Sequence, residues 1–222
     1  MASQVATKVR ATVGRIWPYL FFLALGGCGS LPDTLPLSYF DVPSAYTQKV
    51  PGRWALVVAN ASLDTDIEAP GFACAGMNFP VKIDNAFRQY LVQGFGQIAD
   101  EVTPVDHSLS DIEIRSGRFS GQIIVGSLAL APSVNFAQHG FTAFVDSSIS
   151  ISVSMDVAGH GRPLLHRTIA VTGISHVDAG IGCENAAGGL ARAVDSAAQQ
   201  ISVSAASAFA DSTDIRLVAE AR

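Results

Sequence analysis

Between Ser148 and Val157 the chain alternates without a break. Ile149, Ile151, Val153, Met155 and Val157 take the odd positions, and Ser150, Ser152, Ser154 and Asp156 stand between them. A period of two belongs to a strand and not to a helix, so one face of this segment is core and the other is wet. A half-buried strand needs partners, and the flanking sequence supplies them. Ala158-Gly159-His160-Gly161-Arg162 offers two glycines for positive φ, which predicts a hairpin turn into a strand from Leu164 to about Gly173. Gln122–Leu130 reads as a further strand, and Trp54–Ala59 as a short run of β-formers buried on both faces.

Two segments carry the helical period instead. Ile83, Phe87, Tyr90, Leu91, Val92, Phe95 and Ile98 recur mostly at three- and four-residue steps, predicting an amphipathic helix from after Pro80 to near Asp100. Glu101-Val102-Thr103-Pro104 then turns the chain into something extended. Leu190, Val194, Ala197, Ala198, Ile201, Ala205 and Phe209 predict a second, alanine-rich helix, with Glu184 and Asn185 suited to its start. Asn60–Pro80 reads as loop with at most a short strand, Asp106–Gly121 as a polar connector, and Ile215–Val218 as a short last strand or a trailing end. The expected class is α+β: an antiparallel or mixed sheet with two amphipathic helices packed on one face.

The first 27 residues stand apart from this pattern. Lys8, Arg10 and Arg15 make a positive region with no acid, and Trp17–Leu25 is an apolar run of about nine residues broken by Pro18. A membrane-spanning helix needs about 20 residues, so the run suits a secretory leader instead. It ends in Leu25-Gly26-Gly27-Cys28, which resembles the lipobox of bacterial lipoproteins. The resemblance implies cleavage before Cys28, a diacylglyceryl group on its thiol and an acyl chain on the new amine, with no other cofactor. Gly29 stands where an Asp commonly retains such proteins in the inner membrane, so the expected address is the periplasmic face of the outer membrane. The chain then divides into a leader (1–27), a lipidated Cys with a Pro-rich tether (28–52) and an α+β domain (53–222). Pro32, Pro36, Pro43 and Pro51 mark the tether, which fully extended reaches on the order of 70 Å at about 3 Å per residue, unless Leu35, Leu37, Tyr39 and Phe40 pack on the domain.

With Cys28 lipidated, Cys74 and Cys183 remain as an even pair in an oxidising compartment, and a disulfide between them is expected; two buried free thiols are the alternative. Of 14 Lys and Arg the leader holds three, and of 19 acids none, so a chain without it carries about −8, against −5 for the whole. Such a surface disfavours nucleic acid.

Chemical motifs are sparse. Neither a Gly-x-Ser-x-Gly elbow nor a His-Glu-x-x-His pair occurs. Gly94-Phe95-Gly96-Gln97-Ile98-Ala99 matches a dinucleotide fingerprint literally but falls late in a helix, where the glycines serve packing. Asp64, Asp66 and Glu68 read as a solvated loop, and no metal site is expected. His160, His166 and His176 are the histidines a hairpin could gather. Phe72, Met77, Phe79, Phe136, Phe141 and Phe144 sit in loop-like segments, where they either line an apolar binding surface or close the edges of the core.

Lipobox, Pro-rich tether and small two-helix domain together resemble the accessory outer-membrane lipoproteins of Gram-negative bacteria, such as auxiliary subunits of ABC-type lipid transport and small envelope-assembly lipoproteins. The resemblance implies a non-enzymatic subunit whose partners are the lipid leaflet and another envelope protein or a lipid. The competing expectation is an envelope hydrolase using Asp/His pairs near the hairpin.

Overall fold

The computed structural model describes residues 40–59, 63–68, 74, 76–139, 142–159, 161–180, 183 and 185–220. In chain order its elements are β1 (Val50–Val58), β2 (Thr65–Glu68), β3 (Asn78–Val81), α1 (Asp84–Ile98), β4 (Ala99–Val105), α2 (Asp111–Ser116), β5 (Gly121–His139), β6 (Thr142–Gly159), β7 (Arg162–Gly180), α3 (Ala186–Ala210) and α4 (Thr213–Glu220). The class is α+β. A five-stranded mixed sheet has the order β4-β1-β5-β6-β7, and β2 and β3 form a separate antiparallel pair.

The topology follows from the connections. β1 and β4 are parallel, so the chain between them must cross over, and α1 is that crossover. β1 and β5 are also parallel, while β5, β6 and β7 form an antiparallel meander. The β6–β7 link is the expected hairpin: Gly159 pairs with Arg162, and Gly161 takes the positive φ of +74° that the turn requires. The meander strands are 19, 18 and 19 residues long, about 60 Å at roughly 3.3 Å per residue.

The odd-numbered residues of β6 fill the core as the alternation requires, with Ile149, Ile151, Val153, Met155 and Val157 all buried. α3 lies over β6 and β7, with α1 beside it over β1 and β4, and every residue of the expected α3 stripe, from Leu190 to Phe209, is buried. α3 is rich in Ala because it rides directly on the β7 backbone: a Cβ on Gly173 would stand 2.0 Å from the Ala193 carbonyl oxygen. Trp54 of β1 meets Phe209 of α3 edge-on at 5.0 Å, and Phe209 meets Phe95 of α1 at 5.7 Å, so three aromatic rings join sheet to helices. Gly94 of the fingerprint-like stretch faces the Ser202 carbonyl of α3, a helix contact.

Several expectations are corrected. β1 starts at Val50, ahead of Trp54, where the first strand was expected. The 60–80 segment holds two strands, β2 and β3. Asp64 is no solvated loop acid, since its carboxylate accepts from the Ile83 (2.8 Å) and Asp84 (3.3 Å) amides at the start of α1, and Asp84 accepts in turn from the Leu63 amide at 2.7 Å. The connector 106–121 contains α2, whose Ser110 and Glu113 form a capping box. Donation from the Ser110 amide and hydroxyl, with His107 alongside, holds the Glu113 carboxyl below its ordinary pKa. α2 lies across the sheet from α1 and α3, where Ile114 and Phe119 make a small second core with Ala55. The last apolar run is the helix α4 and not a strand, because Ile215, Val218 and Ala219 fall on one helical face and are buried.

Candidate functional site

The aromatic residues expected at an apolar surface divide. Phe79 of β3 and Phe136 of β5 are buried and stack on each other at 5.8 Å, sealing the core under the β2–β3 pair. They are therefore core and not binding surface. Met77 also packs against the core. Phe144 is half-buried and its ring stacks on His176 at 5.6 Å. Phe72 and Phe141 lie outside the described residues, as do His160, Leu25, Gly26, Gly27 and Cys28. Cys74 and Cys183 are joined in a disulfide with a Cα–Cα distance of 5.8 Å, tying the segment before β3 to the approach to α3.

What the period of two builds on its wet side is a flat polar face. Asp146, Ser148, Ser150, Ser154 and Asp156 of β6 stand opposite His176, Ile174, Thr172, Thr168 and His166 of β7. At one end His166 Nδ1 and Asp156 Oδ1 are 2.6 Å apart, at the other His176 Nδ1 bonds Asp146 Oδ1, and Ser150 and Thr172 share a hydroxyl bond of 2.8 Å between them. The strand register thus creates two Asp–His pairs, the kind of pairing the hydrolase expectation placed near the hairpin. Such pairs can move protons. Here they are more than half exposed, and neither of the two described cavities includes them. One cavity, of about 480 Å³, is lined by Val177, Asp178, Asn185, Gly188 and Arg192; the other, of about 280 Å³, lies at the strap described next. Among the described residues no group of three or more His, Cys, Asp or Glu could hold a metal.

Residues 40–49, the far end of the expected tether, form a strap docked on the helices. Gln97 of α1 holds it twice, accepting from the Val42 amide at 2.9 Å and donating to the Phe40 carbonyl at 2.5 Å. Asp211 accepts from the Ala45 amide at 2.9 Å, and Ser207 donates to the Pro43 carbonyl at 2.7 Å. The buried Arg216 of α4 donates to the Ala210 and Gln48 carbonyls and sets its guanidinium 3.7 Å from the Tyr46 ring centroid. Apart from Phe40, these contacts were not legible from the residues alone, because most are polar bonds between distant segments.

No protein-family model matches this chain, and no curated protein matches it. Among solved structures it is similar to a Xanthomonas campestris protein of family DUF330, at 12% identity over 78% of this chain and 90% of that one, with a TM-score of 0.44. It is also similar to a minor lipoprotein from Acinetobacter baumannii, at 12% identity over 71% and 92%, TM-score 0.36. A third likeness is to a neuraminyllactose-binding hemagglutinin homologue from Helicobacter pylori, at 8% identity over 87% and 98%, TM-score 0.44.

Proposed function

We propose that this chain is an exported lipoprotein, cleaved before Cys28, acylated there, and held at the periplasmic face of the outer membrane. Its domain acts as a non-enzymatic accessory or binding subunit in an envelope-assembly or lipid-transport system, touching another envelope protein or a lipid. The observation that carries this reading is the cysteine arrangement. Cys74 and Cys183 are bonded, as suits an oxidising compartment, which leaves Cys28 as the unpaired one of three, directly after Leu25-Gly26-Gly27. None of the helices among the described residues is long and apolar enough to cross a membrane. The attachment proposed is a lipid on Cys28.

The test is metabolic labelling with radioactive palmitate. The wild-type chain should incorporate label and fractionate with outer membranes, and Cys28→Ser should remain unprocessed and unlabelled. Normal labelling of that variant would overturn the reading. The competing hydrolase draws on the Asp146–His176 and Asp156–His166 pairs. Purified protein should turn over none of a panel of chromogenic esters, glycosides and phosphate esters; turnover that Asp156→Asn or Asp146→Asn abolishes would establish the hydrolase instead.

A further inference from the structure

The free edges of the main sheet are not alike. β4 is seven residues long and carries Asp100, Glu101 and Pro104, so its edge is short, charged and interrupted. β5 loses its β1 neighbour after Val125, and the edge beyond has a register shift between Gly126 and Ala129 and a proline, Pro132. These are devices by which folded proteins keep edges from pairing with other chains. β7 carries charge at Arg162, Arg167 and Asp178, but it is neither short nor interrupted. Its 19 residues pair with β6 in unbroken register from Leu165 to Asp178, its one proline is its second residue, it has no lysine, and among the described residues no strand covers its other side.

We propose that this edge pairs with β7 of a second copy, antiparallel about a two-fold axis at Ala170, so that the sheet continues from one protomer into the other. Charge selects the register. With the axis at Ala170, Arg162 stands opposite Asp178 of the partner subunit, and the reverse contact repeats it. No two basic side chains then oppose each other. Moving the axis to Val171 sets His166 against His176 of the partner subunit, and moving it to Ile169 sets Arg162 there. Opposed residues of antiparallel strands share a face, so this axis is perpendicular to the sheet and keeps both helix layers on one side. The strap at residues 40–49 lies on that helix side, and so the two copies present Phe40, the residue nearest Cys28 in the described chain, on the same side, as two anchors in one leaflet require. This last argument rests on the proposed lipidation; the edge and charge arguments do not.

The test uses the leaderless chain with Cys28→Ser, in which Ala170→Cys supplies the one free thiol. Mild oxidation should give a disulfide-linked dimer with Ala170→Cys and not with Thr172→Cys, whose copies are offset along the strands. Light scattering should give twice the chain mass. Arg162→Glu should weaken the dimer by roughly tenfold, and Arg162→Glu with Asp178→Arg should restore it, an outcome that misfolding cannot imitate. A monomer at all concentrations, linking at Thr172→Cys alone, or protection from exchange, in a monomer, of the outward β7 amides not bonded to β6 would each overturn the pairing. Because the chain tested bears no lipid, loss of palmitate labelling in the wild type would refute the anchor and leave this result standing.

Discussion

Gly173 shows how much of this fold rests on single positions. No side chain fits between β7 and the Ala193 carbonyl, so Gly173→Ala must push α3 off the sheet. The expected cost is about 2–4 kcal/mol, read as a fall in urea midpoint with unchanged slope; a change under about 0.5 kcal/mol would refute the close contact. The disulfide offers a sharper comparison. It closes a separation of 109 residues, worth about 4–5 kcal/mol on the chain-entropy model. Cys74 and Cys183 also both have positive φ, 58° and 65°, which glycine adopts freely and alanine does not. Cys74→Gly with Cys183→Gly should therefore lose less stability than the double alanine variant, by about 1 kcal/mol in paired denaturation curves. At Glu113 the sign runs the usual carboxylate way. The carboxyl is held below its ordinary 4.5, so its contribution to the cap is complete above the unfolded value and is lost as pH falls through the lower folded one. A carbon-detected NMR titration should place its midpoint below 4.5, and Ser110→Ala should return it upward. The cysteine pair was legible in the sequence by counting. Asp64 was not, because its partners belong to the start of α1 and its neighbours look like any acidic loop.

At the scale of elements, legibility followed periodicity. α1, α3 and the β6–β7 hairpin declare themselves through apolar spacing, and each lies close to its expected place. The meander strands run well beyond the expected limits because the code breaks before the strand does. Ser147 occupies a core position in β6, and in β5 the shift after Gly126 and the proline at 132 disturb the alternation. α2 is six residues long and owes its existence to a capping box, too short for a period to register. The strap is the element least visible from sequence, since four prolines describe a tether equally well whether it is docked or loose. Loosening it is a direct check: Gln97→Ala with Asp211→Ala removes the holds on Phe40, Val42 and Ala45 and leaves those of Ser207 and Arg216, and trypsin should then cut after Lys49 several-fold faster, with a stability loss of about 1–2 kcal/mol. Unchanged cleavage would mean that the Ser207 and Arg216 bonds, with the packing of Phe40 and Tyr46, hold the strap without Gln97 and Asp211.

For the whole molecule, fold class was readable and strand order was not. A mixed sheet with β1 between two parallel neighbours depends on where crossovers land, which no local pattern records. The candidate surface was half readable: alternation announced a wet face, but only the register makes Asp–His pairs of it. One further consequence comes from where the two halves of the chain close. Trp54 packs on Phe209, and Arg216 grips the Gln48 carbonyl across a separation of 168 residues. A polypeptide delivered N-terminus first through a membrane pore presents its first strand long before the helices that cover it. Trp54, the sole tryptophan of a chain lacking residues 1–27, would stay wet until the last turns arrive. Its fluorescence should therefore report the final event of refolding, with no full recovery in a chain ending at Ser212. On the proposed export, the emerging strands need a holder until then, and delivery of the domain depends on whatever shelters them in transit.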